Sequence, residues 1–487
     1  GGTPAMSTGA ARSPAATARS AGLPKALALV AAGVLASIVV LSIDMRLSYL
    51  LLYAWFGIGY GALLQYGRFC MASAVRDLFA VRVPRMAVGM MIAVALYALV
   101  SAVVTLAGFG TVDPDPVGWH ILVGAAIFGF GMVFTGGCAS GSLYKAGEGN
   151  VGSMLVIVAI SLSQAVVVTT GGWFDRLVPA AWTAAAAAAE DVPAEVTVTQ
   201  GWFDQFMAGY LWTLDAATLA ERLGLDESPV AAVAVNTLFV ALVPVLLLLL
   251  LLYAVYFRPG YMRRAKITAP TLRQHLAGVW AMCTASRNTA WAGIGLGLLA
   301  GAHVWATGML RAHYGIENFG ELLAAMDHRS GLSLNGTVFD PGYWYITTQE
   351  AQWGAWVLES LGASMRDNVY FGLFNGIPNP LLNAPGFMSI GIIVGAAMMA
   401  LLRQEFKWKL PNLEGAVFAL IGGTLMGIGA RVAKGCNIGA FFSTVTNGDP
   451  SGWLFLLGMA AGAWVGVKLF AWWVDWQAAR QGGDLTL

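Results

Sequence analysis

FGFGMVFTGGCASG at residues 128–141 and MGIGARVAKGCNIG at residues 426–439 are two versions of one segment. Each has a Gly-x-Gly pair ahead of a Gly-Cys pair, with another glycine three residues after the cysteine. The positions correspond at a constant offset of 298 residues, which relates Gly129, Gly131, Gly137, Cys138 and Gly141 to Gly427, Gly429, Gly435, Cys436 and Gly439. Glycine-interrupted apolar segments at corresponding places of two halves are typical of a transporter binding site. The repeat therefore predicts a duplicated membrane protein with a thiol at each interruption.

The composition around these segments is that of a membrane protein. The chain is 58% hydrophobic and 11% charged, and its mean hydropathy is +0.68. Many apolar stretches are long enough to cross roughly 30 Å of hydrocarbon, which predicts an all-α polytopic membrane protein with about ten spans and broken, re-entrant helices. The predicted spans lie near residues 26–42, 47–66, 86–109, 118–135, 151–171, 229–257, 288–310, 386–402, 412–433 and 452–474.

The distribution of charge predicts how these spans are oriented. Residues 258–273 carry five basic side chains and no acid, which indicates a cytoplasmic loop. Residues 175–227 and 311–366 are acid-rich and are expected to face the periplasm or the cell exterior. Counted from a cytoplasmic N-terminus, the span before Cys138 runs inward and the span before Cys436 runs outward. We therefore expect an inverted repeat in a bacterial inner membrane, with both termini in the cytoplasm.

The same observations divide the chain into segments. Two inverted transport repeats are the central expectation, and an extra span, two external insertions and a linking region lie around them. The predicted boundaries are 1–24 for a tag scar and disordered N-terminus, 25–46 for an extra span, 47–171 for the first repeat, 172–228 for an acidic external insertion, 229–310 for linking spans, 311–366 for a second external insertion, 367–475 for the second repeat and 476–487 for the tail.

Three motifs resemble the YeeE/YedE family of sulfur-compound transporters. They are GRFCMASAVRD at residues 67–77, GGCASGSLYKAGEGN at residues 136–150 and GARVAKGCNIGAFFS at residues 429–443. The resemblance implies thiosulfate uptake, with Cys138 and Cys436 touching the passing substrate and Cys70 in a more structural role. The family often carries a further cysteine in the segment of the second repeat that mirrors Cys70. Here NGIPNP at residues 375–380 is the expected counterpart, and it has none.

The chemistry of thiosulfate agrees with such a path. A polarizable thiol suits the soft sulfur end, whereas the sulfonate end needs positive potential from basic side chains and glycine-rich backbone. We expect no metal, cofactor or nucleic acid. The predicted substrate-path residues are Cys138, Cys436, Cys70, Gly137, Gly141, Gly435, Gly439, Lys145, Arg431, Lys434, Asn437, Asn375 and Pro378.

Two further functions compete with transport of thiosulfate. In the first, the protein is a membrane-bound sulfur-transfer protein in which Cys138 or Cys436 carries a persulfide, activated by Lys434. In the second, it anchors a redox partner on the insertion near Trp173, Trp182 and Trp202. Transport of a selenium or another sulfur species is the closest variant of the favoured function. That function is non-enzymatic transport, with the lipid bilayer and a cytoplasmic sulfur-carrier protein as the partners considered.

Overall fold

The computed structural model describes residues 14–110, 117–169, 179–181, 184, 218–317, 319–326, 344, 346–365 and 379–483. These residues form helices and connecting turns. Within the described ranges the only β-type pairing is an isolated bridge between Asn150 and Lys409. The prediction of an all-α protein is confirmed.

The helices of the described residues are numbered in chain order. Those up to residue 169 are α1 (Pro14–Ile43), α2 (Ser48–Gly67), α3 (Met71–Ala80), α4 (Arg85–Leu106), α5 (Trp119–Thr135), α6 (Ala139–Gly147) and α7 (Val151–Thr169). Those that follow up to residue 325 are α8 (Leu219–Arg222), α9 (Pro229–Arg264), α10 (Leu272–Cys283), α11 (Arg287–Tyr314) and α12 (Phe319–Ala325). The remainder are α13 (Ile346–Ser360), α14 (Ala384–Leu402), α15 (Leu413–Val432), α16 (Asn437–Ser443, continued by Thr444–Thr446) and α17 (Ser451–Gly483).

Ten helical segments among the described residues are long and apolar enough to cross a membrane, which confirms the predicted number. The spans include helices that the cysteine motifs interrupt. The segment Trp119–Gly147 contains α5, the first Gly-Cys break and α6, whereas Met45–Ala80 contains α2, the turn before Cys70 and α3.

The helix pairs repeat in a mirrored pattern. α5 packs along both α15 and α17, while α15 also packs along α7. α2 packs along α14 in the same way as α11 packs along α4. The same set of contacts is obtained when every helix is replaced by its counterpart in the other half. The counterparts are α5 and α15, α7 and α17, α2 and α11, and α4 and α14. The pattern is that of two structurally related halves.

The crossing of α5 and α15 is built from glycines that obey the sequence offset. A Cβ on Gly131 would lie 2.6 Å from the carbonyl oxygen of Gly422, and a Cβ on Gly429 would lie 2.6 Å from that of Gly124. The two contacts are equivalent, because an offset of 298 residues turns Gly124 into Gly422 and Gly131 into Gly429. Only glycine permits such close contact between backbones.

Helix α13 differs from the expectation for its segment. Residues 311–366 were expected to form an external insertion, yet the first half of α13 is buried and the helix packs against α7 and α14. Its counterpart by contacts is α3, which packs against α17 and α4. Part of the polar and acidic residues of this stretch, including Gln349 and Glu350, is therefore buried in the protein interior.

Several predicted features lie outside the described residues. They include Asn375 and Pro378, most of the predicted insertion 172–228 and the three tryptophans of the redox-anchor hypothesis.

Candidate functional site

The first break lies between α5 and α6. Gly136 ends α5 in the left-handed region with φ +65°, and Cys138 follows in extended backbone (φ −85°, ψ −176°) as the N-cap of α6. The Cys138 Sγ accepts a hydrogen bond from the N–H of Gly141 at 3.4 Å. Cys138 is fully buried, so the break places a thiol and the N-terminus of a helix inside the protein.

The second break has the same backbone conformation. Cys436 is extended (φ −97°, ψ −178°) and is the N-cap of α16. The carbonyl of Cys436 accepts from the N–H of Ala440 at 2.7 Å, as the carbonyl of Cys138 accepts from that of Ser142 at 2.7 Å. Cys436 is also buried, with 1% of its surface exposed. The sequence repeat therefore corresponds to a repeat in three dimensions.

The position two residues before each cysteine differs between the two breaks. Lys434 takes the place of Gly136 and adopts the same left-handed conformation, with φ +62°. A side chain in this region costs about 1–2 kcal/mol relative to ordinary backbone, because its Cβ is crowded. Lys434 therefore holds a strained backbone conformation that a glycine adopts without strain at the first break.

Glycine at position 434 separates the backbone effect from the charge effect. We expect Lys434→Gly to unfold at a higher temperature than Lys434→Ala, with a stability difference of about 1 kcal/mol, because only the glycine variant relieves the left-handed strain. Both variants lose the ammonium group, so the comparison isolates the backbone effect. Thermal unfolding of the two purified variants in one detergent is the measurement. Equal stability would contradict the strain argument.

Cys70 joins the first break from a different helix. It directly precedes α3, and its Sγ lies 3.9 Å from the Sγ of Cys138. Gly141 makes room for this pair, because a Cβ there would lie 2.7 Å from the Cys70 Sγ. Cys70 is 2% exposed. Two thiols from separate helices therefore lie side by side in the interior.

Trp344 occupies the corresponding place in the second half. It lies two residues before α13, whereas Cys70 lies directly before α3, and its carbonyl oxygen would lie 3.0 Å from a Cβ on Gly439. Gly439 is the offset partner of Gly141, so each glycine faces the residue that leads into the mirrored helix. By this contact Trp344, and not the NGIPNP segment expected from the sequence, is the counterpart of Cys70, so a tryptophan stands where the first half has a thiol.

A cavity of about 50 Å³ lies between the two halves. Its walls are mostly apolar and aromatic, and both halves contribute to them. The lining includes Cys70, Met71 and Ser140 from the first half and Trp344, Ile346, Asn437 and Phe442 from the second. Asn437 is buried, and its Oδ1 has no hydrogen-bond partner among the described residues. Such an amide can orient a polar guest in an apolar space.

The predicted cations lie around the breaks. Lys145 of α6 donates to the carbonyl of Gly136 at the first break, and it is close enough to Cys70 to act on it electrostatically. Arg431 is buried at the end of α15, one turn before Cys436. Lys434 is half-buried within the second break. Each thiol break therefore has a basic side chain beside it.

A charged cluster connects the end of α2 to the loop after α14. Glu405 lies 3.1 Å from Arg68 and 3.4 Å from Arg403, and it accepts a hydrogen bond from Gln65 at 2.7 Å. Partial burial alone would raise the pKa of Glu405, but the Gln65 hydrogen bond and the two guanidinium groups outweigh it and lower that pKa. Arg68 remains largely exposed. The cluster leaves positive charge near the helix break that carries Cys70.

The structure brings most of the predicted path residues to two places. Cys70, Cys138, Gly141 and Lys145 meet at the first break together with Gly137. Cys436, Arg431, Lys434, Asn437, Gly435 and Gly439 lie at the second. Cys283 is half-buried at the end of α10 in another cluster, around Tyr253 and Met282.

Sequence reasoning missed Trp344 and the buried polar half of α13. The signal was present in the run ITTQEAQ at residues 346–352, where five polar side chains accompany only an isoleucine and an alanine. Hydropathy assigns such a run to the surface.

Comparison with known proteins adds an independent observation. A family model described as sulphur transport matches residues 66–242 and 205–465. The chain is 24% identical over 405 residues to the thiosulfate transporter TsuA of Escherichia coli K12, an alignment covering 83% of this chain and 90% of that protein. It is 26% identical over 421 residues to TsuA of Spirochaeta thermophila, covering 84% and 96%. It is also 31% identical over 127 residues to the probable transporter YedE of Escherichia coli, but that alignment spans only 32% of YedE.

Proposed function

Because this chain belongs to the sulphur transport family, we propose that it carries a small sulfur-containing anion, thiosulfate, across a membrane. The observation that carries the proposal is the buried pair of thiols at the first break. Cys70 lines a cavity to which Asn437 and Ile438 of the second break also contribute, and its Sγ lies 3.9 Å from that of Cys138. The function is non-enzymatic transport, as the description of the family implies.

The two ends of thiosulfate match the two kinds of group at each break. The terminal sulfur is soft and polarizable, and a thiol can contact it without the strong desolvation that a charged ligand requires. The sulfonate oxygens need hydrogen-bond donors and positive potential, which Lys145 and the helix N-terminus of α6 supply at the first break. Arg431 and Lys434 supply positive charge at the second. Weak contacts at successive sites allow the anion to be released as well as bound.

We propose that the anion passes from one break to the other through the cavity. Cys138 and Cys70 hold its sulfur at one end, and Cys436 holds it at the other, with Asn437 between them at the cavity wall. Trp344 takes the place of a thiol in the second half, so the contact there is aromatic. The equal backbone conformation of the two breaks supports equivalent roles for Cys138 and Cys436.

We further propose the orientation predicted from charge. The basic loop at residues 258–273 faces the cytoplasm, as do both termini, and the protein lies in a bacterial inner membrane. The division into inverted repeats at residues 47–171 and 367–475 belongs to this proposal, with α11 and α13 as additional members of the second half. A cytoplasmic sulfur-carrier protein remains the proposed recipient of the anion.

Competition between thiosulfate and sulfate tests the proposal. In liposomes containing the purified protein, we expect unlabelled thiosulfate to inhibit uptake of labelled thiosulfate about 30-fold more effectively than sulfate does. Sulfate replaces the soft sulfur with oxygen and so weakens two thiol contacts of about 1 kcal/mol each. The measurement is the concentration of each anion that halves the initial rate.

Protein-free liposomes provide the background, and Cys283→Ala is the matched cysteine control. If sulfate competes as well as thiosulfate, the thiols do not select the substrate, and Arg431 and Lys434 become the leading candidates for selectivity. Absence of uptake under every gradient would contradict the proposed function itself.

A further inference from the structure

The N-terminal half of α13 is a polar surface enclosed by protein. Its residues from Ile346 to Gln352 are all at most 5% exposed. The side-chain oxygens of two glutamines in this run accept hydrogen bonds from neighbouring residues. Gln349 accepts from the hydroxyl of Ser389 at 2.7 Å, and Gln352 accepts from the amide of Asn383 at 2.5 Å. These bonds attach α13 to Ser389 of α14 and to Asn383, the residue directly before α14.

Glu350 differs from these two glutamines, whose side-chain oxygens are hydrogen-bonded and whose amide nitrogens alone lack a partner among the described residues. It is fully buried, and neither carboxylate oxygen has a hydrogen-bond partner among the described residues. An ionised carboxylate without partners is strongly disfavoured in such a place, because the charge loses its hydration and gains nothing in return. The carboxyl group is therefore neutral in this conformation and carries a proton.

Few charged groups face α13 from the helices packed against it. α7 and α14 contain no charged or titratable residue. α6 contributes Tyr144 and Lys145, and α15 contributes Glu414 and Arg431. Lys145 donates to the carbonyl of Gly136, and Glu414 accepts from Trp473 at the surface. No hydrogen bond joins Arg431 to the carboxylate oxygens of Glu350 within the described residues.

Glu350 is next to the proposed path. Ile346 lines the cavity, and Glu350 follows it by four residues, so the two side chains are on the same face of α13. Helical side chains lean toward the N-terminus, which directs Glu350 toward the cavity wall. Cys436 is near enough for its thiol to interact electrostatically with Glu350. A change of charge at Glu350 would therefore be felt at the second break.

We propose that Glu350 is a proton-binding site that couples movement of the anion to movement of H⁺. The inference rests on the proposed function and adds its driving ion. An ionised Glu350 would repel a dianion near Cys436 in this low-dielectric region, whereas a protonated Glu350 would not. Binding of the anion at the second break therefore requires a proton on Glu350. When the anion leaves to the other side, the carboxyl group releases its proton there and returns ionised.

Coupling of this kind gives the transporter a source of energy. A dianion that moves into a compartment at negative potential is opposed by the field acting on both charges. One proton carried with each anion cancels half of that charge and adds the pH gradient as a driving force. α7 and α14 carry no titratable group that could replace Glu350 as the proton acceptor.

A pH gradient across liposomes at clamped zero potential tests the proposal. We expect the wild type to change its steady-state accumulation of labelled thiosulfate about tenfold for each imposed pH unit, as one coupled proton requires. Glu350→Gln imitates the protonated carboxyl group, so it should exchange thiosulfate across the membrane yet accumulate none in response to the gradient. Glu359→Gln, on the same helix and half-buried, is the matched control and should behave as the wild type.

The outcomes that overturn the proposal are distinct from failure of the proposed function. Proton coupling at this residue is excluded if Glu350→Gln accumulates thiosulfate about tenfold for each pH unit. It is also excluded if the wild type exchanges thiosulfate but shows no accumulation in response to the pH gradient. Loss of exchange in a folded Glu350→Gln protein also counts against it, because it assigns the residue to substrate binding. If Glu350→Gln does not fold, Glu350→Asp is measured instead. It keeps a carboxyl group and should retain accumulation driven by the pH gradient, so loss of that accumulation in a folded Glu350→Asp protein that still exchanges thiosulfate contradicts the proposal. A wild type without any thiosulfate exchange refutes the transport function instead.

Discussion

Alanine in place of Cys138 or Cys436 is expected to abolish thiosulfate uptake while the protein remains folded. Each cysteine is the N-cap residue of the helix that begins at its break, and each is buried. Removal of one soft contact from an enclosed path should slow uptake by at least about tenfold, equivalent to about 1.4 kcal/mol. Initial rates in liposomes containing equal amounts of protein are the measurement.

Variants of the other two cysteines serve as comparisons for this prediction. Cys70→Ala should have an intermediate effect, because Cys138 remains beside the emptied position. Cys283→Ala should be nearly silent, since that thiol belongs to the cluster around Tyr253. Serine at position 138 or 436 keeps a hydrogen-bond donor but removes the polarizable sulfur. Full activity of the Cys138→Ala/Cys436→Ala double variant would refute passage of the anion between thiols.

Much of the architecture was accessible from the sequence because it depends on local rules. Ten spans follow from apolar length, and the duplicated glycine and cysteine spacing predicted two related breaks. The backbone at Cys138 and Cys436 agrees to within 12° in φ and 2° in ψ. Gly136 adopts a left-handed turn, and Gly131 and Gly429 lie against another backbone, so the glycine spacing in the sequence reflects positions that other residues would strain.

The partners of each break were harder to predict. The proximity of Cys70 and Cys138 depends on how α3 docks against the first break, and hydropathy carries no information about that contact. Residues 346–352 are polar enough to resemble a surface segment, yet tertiary contacts with Ser389, Asn383 and Gln164 satisfy many of their polar groups in the interior. A single sequence cannot distinguish a buried polar surface of this kind from an exposed loop.

Substitution of the glycines where α5 crosses α15 is expected to prevent the two halves from packing. A Cβ at position 429 would lie 2.5 Å from the backbone nitrogen of Phe128 and 2.6 Å from the carbonyl oxygen of Gly124. Backbone atoms cannot move aside as a flexible side chain can, so the helices must separate along their length. We expect Gly429→Val to lose most of its folded protein and Gly429→Ala to be destabilised by about 1–3 kcal/mol.

The equivalence of the two contacts makes this prediction sharper. Gly131→Ala should be destabilised as much as Gly429→Ala, because its Cβ meets the carbonyl of Gly422 at the same 2.6 Å. Gly33→Ala in α1 is the control, since a Cβ there meets only the ring of Trp55 at 3.6 Å, and alanine is the better helix former. The three variants are compared by heating each in detergent and measuring the fraction of protein that remains monodisperse. If Gly131→Ala is as stable as the wild type while Gly429→Ala is destabilised, the two glycine contacts at the crossing are not equivalent. The structural argument for equal roles of the two cysteine breaks would then fail.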